Sequence, residues 1–376
     1  MKKIAILTWL HNNNYGSILQ AYALQKFLRD EKYEITNIDL CPSSLEKLRN
    51  CIIQGNPLIS LLKEKMTLFK AEKEYKNKAA FKRKDEKFKS FLNENFILTH
   101  TYRKFDDLKD IAGKYGVYIC GSDQIWSPML LNPAYYLDFL PSSAKKVSYA
   151  CSFGMDSIPY NKQKRIAKWL KSFCAISVRE IAGQKIVKSL LGKDCITTVD
   201  PTMLLPAGTW NMIIGNKQII DEQYLLCYFL SYQRKQWEKA SEIAKSKGLK
   251  MVTIATTKES CGYGDIVIYD AGPSEWVNLM KNAAFVVTDS FHGSVFSIIY
   301  QRQFCVFKRF NDKNKLSQNS RIYTLLSEYG LKDVLVEDID NYKVKEILPD
   351  RYNRVTELLC KKAEESKRWL INSILA

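Results

Sequence analysis

Short apolar runs bounded by polar turns alternate, along most of this chain, with stretches whose apolar residues recur every three or four positions. A run of four to eight apolar residues suits a strand buried on both faces, and the 3.6-residue period suits a helix crossing to the next strand. A chain patterned in this way is confined to parallel sheets covered by helices. The first repeat of the pattern is plain. Lys3–Leu10 reads as a strand and His11 to Gly16 as a loop. Ile18, Leu19, Tyr22, Ala23, Phe27 and Leu28 mark a helix, and Ile35–Leu40 a second strand. Further strands are expected at Val117–Cys120, Val147–Ser152, Ala175–Val178 and Ile196–Val199. After a break rich in Pro and Gly from Pro201 to about residue 223 they resume at Tyr224–Leu230, Lys250–Thr256, Ile266–Tyr269, Ala284–Thr288 and Phe304–Phe307. Helices are expected at Ser274–Asn282, with a serine N-cap after Pro273, and at Ser294–Tyr300.

The length, 376 residues, suits two such domains. The expected division is 1–205, carrying a basic helical insertion at about 41–110, and 220–345. A terminal helix over 350–376 packs back on the first domain. Ten cysteines stand singly with no CxxC pair, so neither a zinc site nor a disulfide framework is expected, and a reducing cytoplasm is. The apolar start of MKKIAILTWL is short for a signal peptide and lacks a cleavage site, and no run is long enough to span a bilayer.

The formal net charge of +17 favours anionic partners. Much of it lies in Lys63–Lys89, which reads as a solvated helical face or as a patch docking on anionic lipid at the inner face of the membrane. Nucleic acid is not expected, because no recognition motif accompanies the charge.

Ligands of open parallel sheets bind beyond the carboxyl ends of the strands. That rule selects His11–Gly16, Gly121–Gln124, Arg179-Glu180, Asp200 and Thr288–Gly293. In the last loop, His292 stands just before a helix N-terminus, where backbone N–H groups and the helix dipole favour an anion, and Gly293 permits close approach of a ligand. A histidine there can exchange protons near neutral pH. Asn13, Asn14, Tyr15 and Gly16 suit sugar hydroxyls or a turn chosen for its backbone. Arg179 suits a carboxylate or phosphate clamp, or an ion pair with a neighbouring acid. Asp123 and Asp200 suit caps, and Trp126 either a core position or a sugar-stacking platform.

Six motifs occur in order: Asn14-Tyr15-Gly16-Ser17 through Leu24, Gly121-Ser122-Asp123-Gln124-Ile125-Trp126, Ser148-Tyr149-Ala150 through Gly154, Ser177-Val178-Arg179-Glu180, Asp200-Pro201-Thr202, and Thr288-Asp289-Ser290-Phe291-His292-Gly293. Together they resemble the polysaccharide pyruvyl transferases over roughly residues 3–330. The resemblance implies a GT-B-like fold, with two Rossmann-type domains whose parallel sheets face each other across a cleft. It implies transfer of a carboxyethylidene group from phosphoenolpyruvate to a hexose of a cell-surface glycan, often lipid-linked, with no metal or other cofactor. It assigns His292 as acid/base and Arg179 to the donor's anion, with Ser290, Phe291, Gly293, Ser294, Lys308, Arg309 and Arg321 around the donor. The acceptor falls to Asn13, Asn14, Tyr15, Gly16, Ser122, Asp123, Gln124 and Trp126. Many members carry arginine two residues before the histidine, where this chain has Ser290. The other functions weighed are a nucleotide-sugar glycosyltransferase of the same fold and a non-catalytic glycan-binding protein.

Overall fold

The computed structural model describes residues 2–57, 78–215, 218–257, 259–311 and 318–376. They form two α/β units. The first comprises 2–57, Leu92–Leu204 and Lys361–Ala376, and the second 78–91 and Leu205–Cys360.

In the first unit, β1 (Lys3–Leu7), α1 (Tyr15–Asp30), β2 (Glu34–Asn37) and α2 (Ser44–Gln54) are followed by α3 (Lys78–Asn95), which the two units share. Then come β3 (Val117–Asp123), β4 (Lys146–Cys151), α4 (Tyr160–Leu170), β5 (Ala175–Val178), α5 (Ile181–Leu191) and β6 (Ile196–Thr197). All strand pairs are parallel, in the order β2-β1-β3-β4-β5-β6. The chain therefore leaves β1 for β2 on one side and returns to β3 on the other, which opens a crevice between the carboxyl ends of β1 and β3. Strands β1, β3 and β4 are buried along nearly their whole length, as their unbroken apolar runs require.

The second unit holds α6 (Ala207–Trp210), β7 (Tyr224–Tyr228), α7 (Arg234–Ser246), β8 (Lys250–Ile254), β9 (Ile266–Ile268), α8 (Pro273–Asn282), β10 (Phe285–Thr288), α9 (Phe291–Ile299), β11 (Gln303–Phe307), α10 (Ser320–Glu328) and β12 (Leu335–Val336). Its sheet is also parallel, in the order β12-β11-β10-β7-β8-β9, so the reversal falls between β7 and β10. Trp276 anchors this core, edge-on to Tyr228 and to Phe296 at 5.3 and 5.0 Å.

The last helix, α11 (Pro349–Leu375), is divided between the units. Its final turns pack on the first: Ser366 Oγ accepts from the Val199 N–H at 3.1 Å, and Lys2 and Lys145 donate to the Ile374 carbonyl.

Two local expectations are corrected. Helix α9 begins at Phe291 rather than Ser294, because Ser290 is its N-cap and accepts from the Gly293 N–H. His292 therefore lies inside the first turn. Helix α8 is capped by Gly272 rather than a serine, with Pro273 at its first position and Glu275 reaching back to the Gly272 N–H.

The basic insertion also divides. Residues 92–110 cluster with the first unit and 78–91 with the second. There Arg83 and Lys87 pair with Asp270 and Glu275 at 2.6 and 2.7 Å. Residues 63–77 of the lysine-rich run lie outside the described residues, and of the remainder Lys82 and Lys89 pair with Glu86 and Asp85. Among the described residues, no helix is long and apolar enough to cross a membrane.

Candidate functional site

Both crevices are built from the same parts. In the first unit, Asn14 caps α1 by accepting from the Ser17 N–H at 3.2 Å, which points the Ser17 hydroxyl toward the end of β3. Ser17 Oγ donates to Asp123 Oδ2 at 2.6 Å, so a serine after one central strand bridges to a carboxylate ending the other. In the second unit, Asp289 follows β10 and accepts from Ser231 Oγ, again at 2.6 Å, in the loop after β7. It also accepts from the Leu230 and Ser231 N–H groups. Burial pushes the Asp289 carboxyl up, opposed by the Arg309 charge and by these hydrogen bonds.

In the first unit the carboxylate bridge continues into an ion cluster. Arg179, directly after β5, donates to Asp200 Oδ2 at 2.7 Å, with Asp123 at 3.5 Å and Glu180 at 3.9 Å. Burial opposes the guanidinium charge, but the three carboxylates outweigh it and hold the proton more firmly than usual. Asp200 also accepts from Thr202 N and Oγ1, and Glu180 from Ser152 Oγ. The backbone at the strand ends is strained in step. Asn13, Asp123 and Ala150 have φ of 47°, 64° and 49°, a region that non-glycine residues rarely adopt and that clusters at functional sites.

In the second unit the first turn of α9 is drawn tightly onto β10. Thr288 Oγ1 accepts from the Ser290 N–H and donates to the Tyr228 carbonyl. A Cβ at position 293 would lie 2.5 Å from that oxygen, so the helix–strand approach itself requires Gly293. His292 is 6 % exposed. The Arg321 guanidinium lies 5.9 Å from the Phe291 ring, and Lys308 5.8 Å from the Tyr323 ring. Gln233 and Gln236 fasten the backbone of Lys308 and Arg309 to α7.

The structure thus brings together His292, Ser290, Phe291, Arg309 and Arg321 in the second unit, and Asn14, Ser17, Asp123 and Arg179 in the first. Ser294 is fully buried and bonds back to the Ser290 carbonyl, which makes it part of the helix. Tyr15 and Ser122 are buried too, Ser122 Oγ donating to the Ala150 carbonyl. Trp126 is corrected. Its side chain is fully buried, stacked on Tyr136 at 5.3 Å with Nε1 bonded to the Tyr135 carbonyl, so it is core and no sugar platform. Arg179 is likewise occupied by acids of its own unit rather than open toward a donor.

Sequence reasoning missed Ser231, an unremarkable serine until the strand order puts it opposite Asp289. It also missed Asp39. His11 Nε2 hydrogen-bonds Asp39 Oδ1, and Thr101 Oγ1 donates to Oδ2 at 2.6 Å. Burial alone would raise the Asp39 carboxyl, yet the bonds from His11 and Thr101 hold it below the usual range. The only signal was an acid ending an apolar strand.

Among solved structures, the chain is similar to a UDP-L-rhamnose complex of UGT89C1 from Arabidopsis thaliana, at TM-score 0.50 and 11 % identity, covering 100 % of this chain and 99 % of that one. A putative UDP-N-acetylglucosamine 2-epimerase from Listeria monocytogenes gives TM-score 0.47 at 10 % identity, covering 94 % of each. At such identities the likeness concerns fold alone, and the fold is GT-B-like, with two parallel-sheet α/β domains. No curated protein sequence matches the chain. The model of the polysaccharide pyruvyl transferase family matches residues 14–309, from the cap of α1 to just past β11. With more than half of its length matched, the chain belongs to the polysaccharide pyruvyl transferase family.

Proposed function

We propose that this transferase moves a carboxyethylidene group from phosphoenolpyruvate to a hexose of a cell-surface polysaccharide or its lipid-linked precursor, closing a pyruvate ketal. The observation that carries the reading is the second-unit crevice. There the His292 imidazole sits in the first turn of α9 beside Phe291, whose ring lies 5.9 Å from the Arg321 guanidinium. A small anion is favoured at such a helix end by the dipole, and Arg321, Arg309 and Lys308 supply the remaining charge.

The chemistry asks little else of the protein. His292 gives a proton to the methylene carbon of the enol ester, leaving a cation-like carbon at C2. Two sugar hydroxyls add there, and the C2–O bond to phosphate breaks. Of the two hydroxyl protons released, one restores the imidazole and the other leaves with phosphate. Arg179 serves by position: it pairs with Asp200 and faces Asp123 and Glu180, and so ties the loops around the acceptor together. An acceptor carried on a lipid would bring the protein to the inner face of the membrane.

The test is acceptor-dependent release of phosphate from phosphoenolpyruvate, using lipid-linked and free oligosaccharides. Release by the wild-type protein and its loss in His292→Ala, with the fold retained by circular dichroism, supports the reading. Full activity in His292→Ala removes the mechanism. Thermal stabilisation by UDP-sugars with none by phosphoenolpyruvate overturns the donor.

A further inference from the structure

A cavity of about 530 Å³ opens in the first unit beside the β1–α1 loop, within the size range of small-ligand sites. Three aromatic side chains contribute to its wall: Trp9, Phe105 and Tyr135, the first and last meeting edge-on at 6.3 Å. His11, Asn12 and Asn50 line it as well. Among the described residues no carboxylate lines it; Asp39 is bonded to His11, and Glu46 accepts from the Phe105 N–H.

The walls are fixed. Asn50 and Asn56 both donate to the Leu131 carbonyl, at 3.0 and 2.9 Å, and Asn56 accepts in turn from the Leu131 N–H and from Lys162. These bonds pin the end of α2 to the loop after β3, so a ligand meets a preformed shape and little ordering is needed on binding. His11 is oriented in the same way. With Nε2 held by the Asp39 carboxylate, Nδ1 is the nitrogen left to meet a ligand, while the side chain keeps 30 % of its surface exposed.

Flat apolar faces together with amides and an oriented imidazole match a ring that has C–H faces and a hydroxyl edge. A nucleotide or a phosphorylated acid would call for a cluster of cations, and among the described residues Lys47 is the one lysine or arginine in the lining. We infer that this cavity is a subsite for an uncharged sugar ring, with His11, held by Asp39, reading one hydroxyl. The assignment deepens the acceptor half of the function proposed above and rests on it for the idea that a glycan is the acceptor. Of the residues given to the acceptor by sequence, Asn14 alone lines this cavity.

Saturation-transfer NMR tests it with the methyl glycosides of glucose, galactose, mannose and N-acetylglucosamine as probes. At least one should bind the wild-type protein. Binding should fall about tenfold or more in His11→Ala, the scale of one lost hydrogen bond in an ion-supported pair. It should vanish in Leu130→Trp, which fills the cavity from a lining residue 45 % exposed and thus spares the fold. Stabilisation of the same variants by phosphoenolpyruvate should be unchanged. Silence from all four glycosides, or undiminished binding in Leu130→Trp, overturns the subsite. Sugar binding that Leu130→Trp abolishes, in a protein that never releases phosphate, would retain the subsite and overturn the pyruvyl transfer instead.

Discussion

Arg179 Nη1 and Asp200 Oδ2 lie 2.7 Å apart with both side chains at most 2 % exposed, and the same guanidinium faces Asp123 and Glu180 at 3.5 and 3.9 Å. Removing one member of a buried ion cluster leaves charge without compensation, which typically destabilises by about 3–5 kcal/mol. Arg179→Ala should therefore lower the unfolding free energy, measured by urea denaturation, by that scale. Arg179→Lys should lose less, keeping the charge but not the fork. A loss of unfolding free energy below about 1 kcal/mol in Arg179→Ala would show the cluster to be unimportant for folding.

Gly293→Ala places a methyl group 2.5 Å from Thr288 Oγ1. The clash should destabilise the second unit by about 1–3 kcal/mol, the usual scale for overpacking. Pairing it with Thr288→Ala should give a double mutant better than the sum of the singles, a coupling that chemical denaturation of all four proteins measures. Strict additivity would argue against the contact.

Asp39 supplies a pH signature. Its folded carboxyl lies below the usual range, so its contribution is complete above the ordinary carboxylate pKa of about 4. It is lost as pH falls through the lower folded value. Asp39→Asn should be less stable than wild type at neutral pH by about 1–3 kcal/mol, reflecting hydrogen bonds to a charged group. The gap should close under acid. Denaturation curves at neutral pH and in the acid range check it; a gap that widens on acidification contradicts the sign.

Arg321 is placed over Phe291 at the mouth of α9. If it holds the donor, Arg321→Gln should raise KM for phosphoenolpyruvate by about tenfold or more while kcat changes little, as expected for binding energy shared by ground and transition states. An unchanged KM would move the donor's anion elsewhere.

Most of the sheet architecture was legible because buried parallel strands must be apolar end to end, and Ala175–Val178 falls where the pattern put it. Strand ends and caps were less so. The start of α9 depended on a serine hydroxyl reaching the Gly293 N–H, which residue type alone does not announce. Trp126 illustrates a different limit: an indole after a strand reads alike as platform or core until Tyr136 is found stacked on it. The partners of Asp123 and Asp289 were invisible for a topological reason. Ser17 and Ser231 become neighbours of those acids only once the sheets reverse between β1 and β3 and between β7 and β10.

The serine–aspartate bridges at 17–123 and 231–289 also bear on how the protein can drift. Each joins positions far apart in the chain, and loss of either partner removes a hydrogen bond to a buried carboxylate. Viable lineages should therefore exchange the two members of a bridge together or keep both. Paired substitution at these positions across divergent descendants would be the evolutionary imprint of two crevices closed by one kind of clasp.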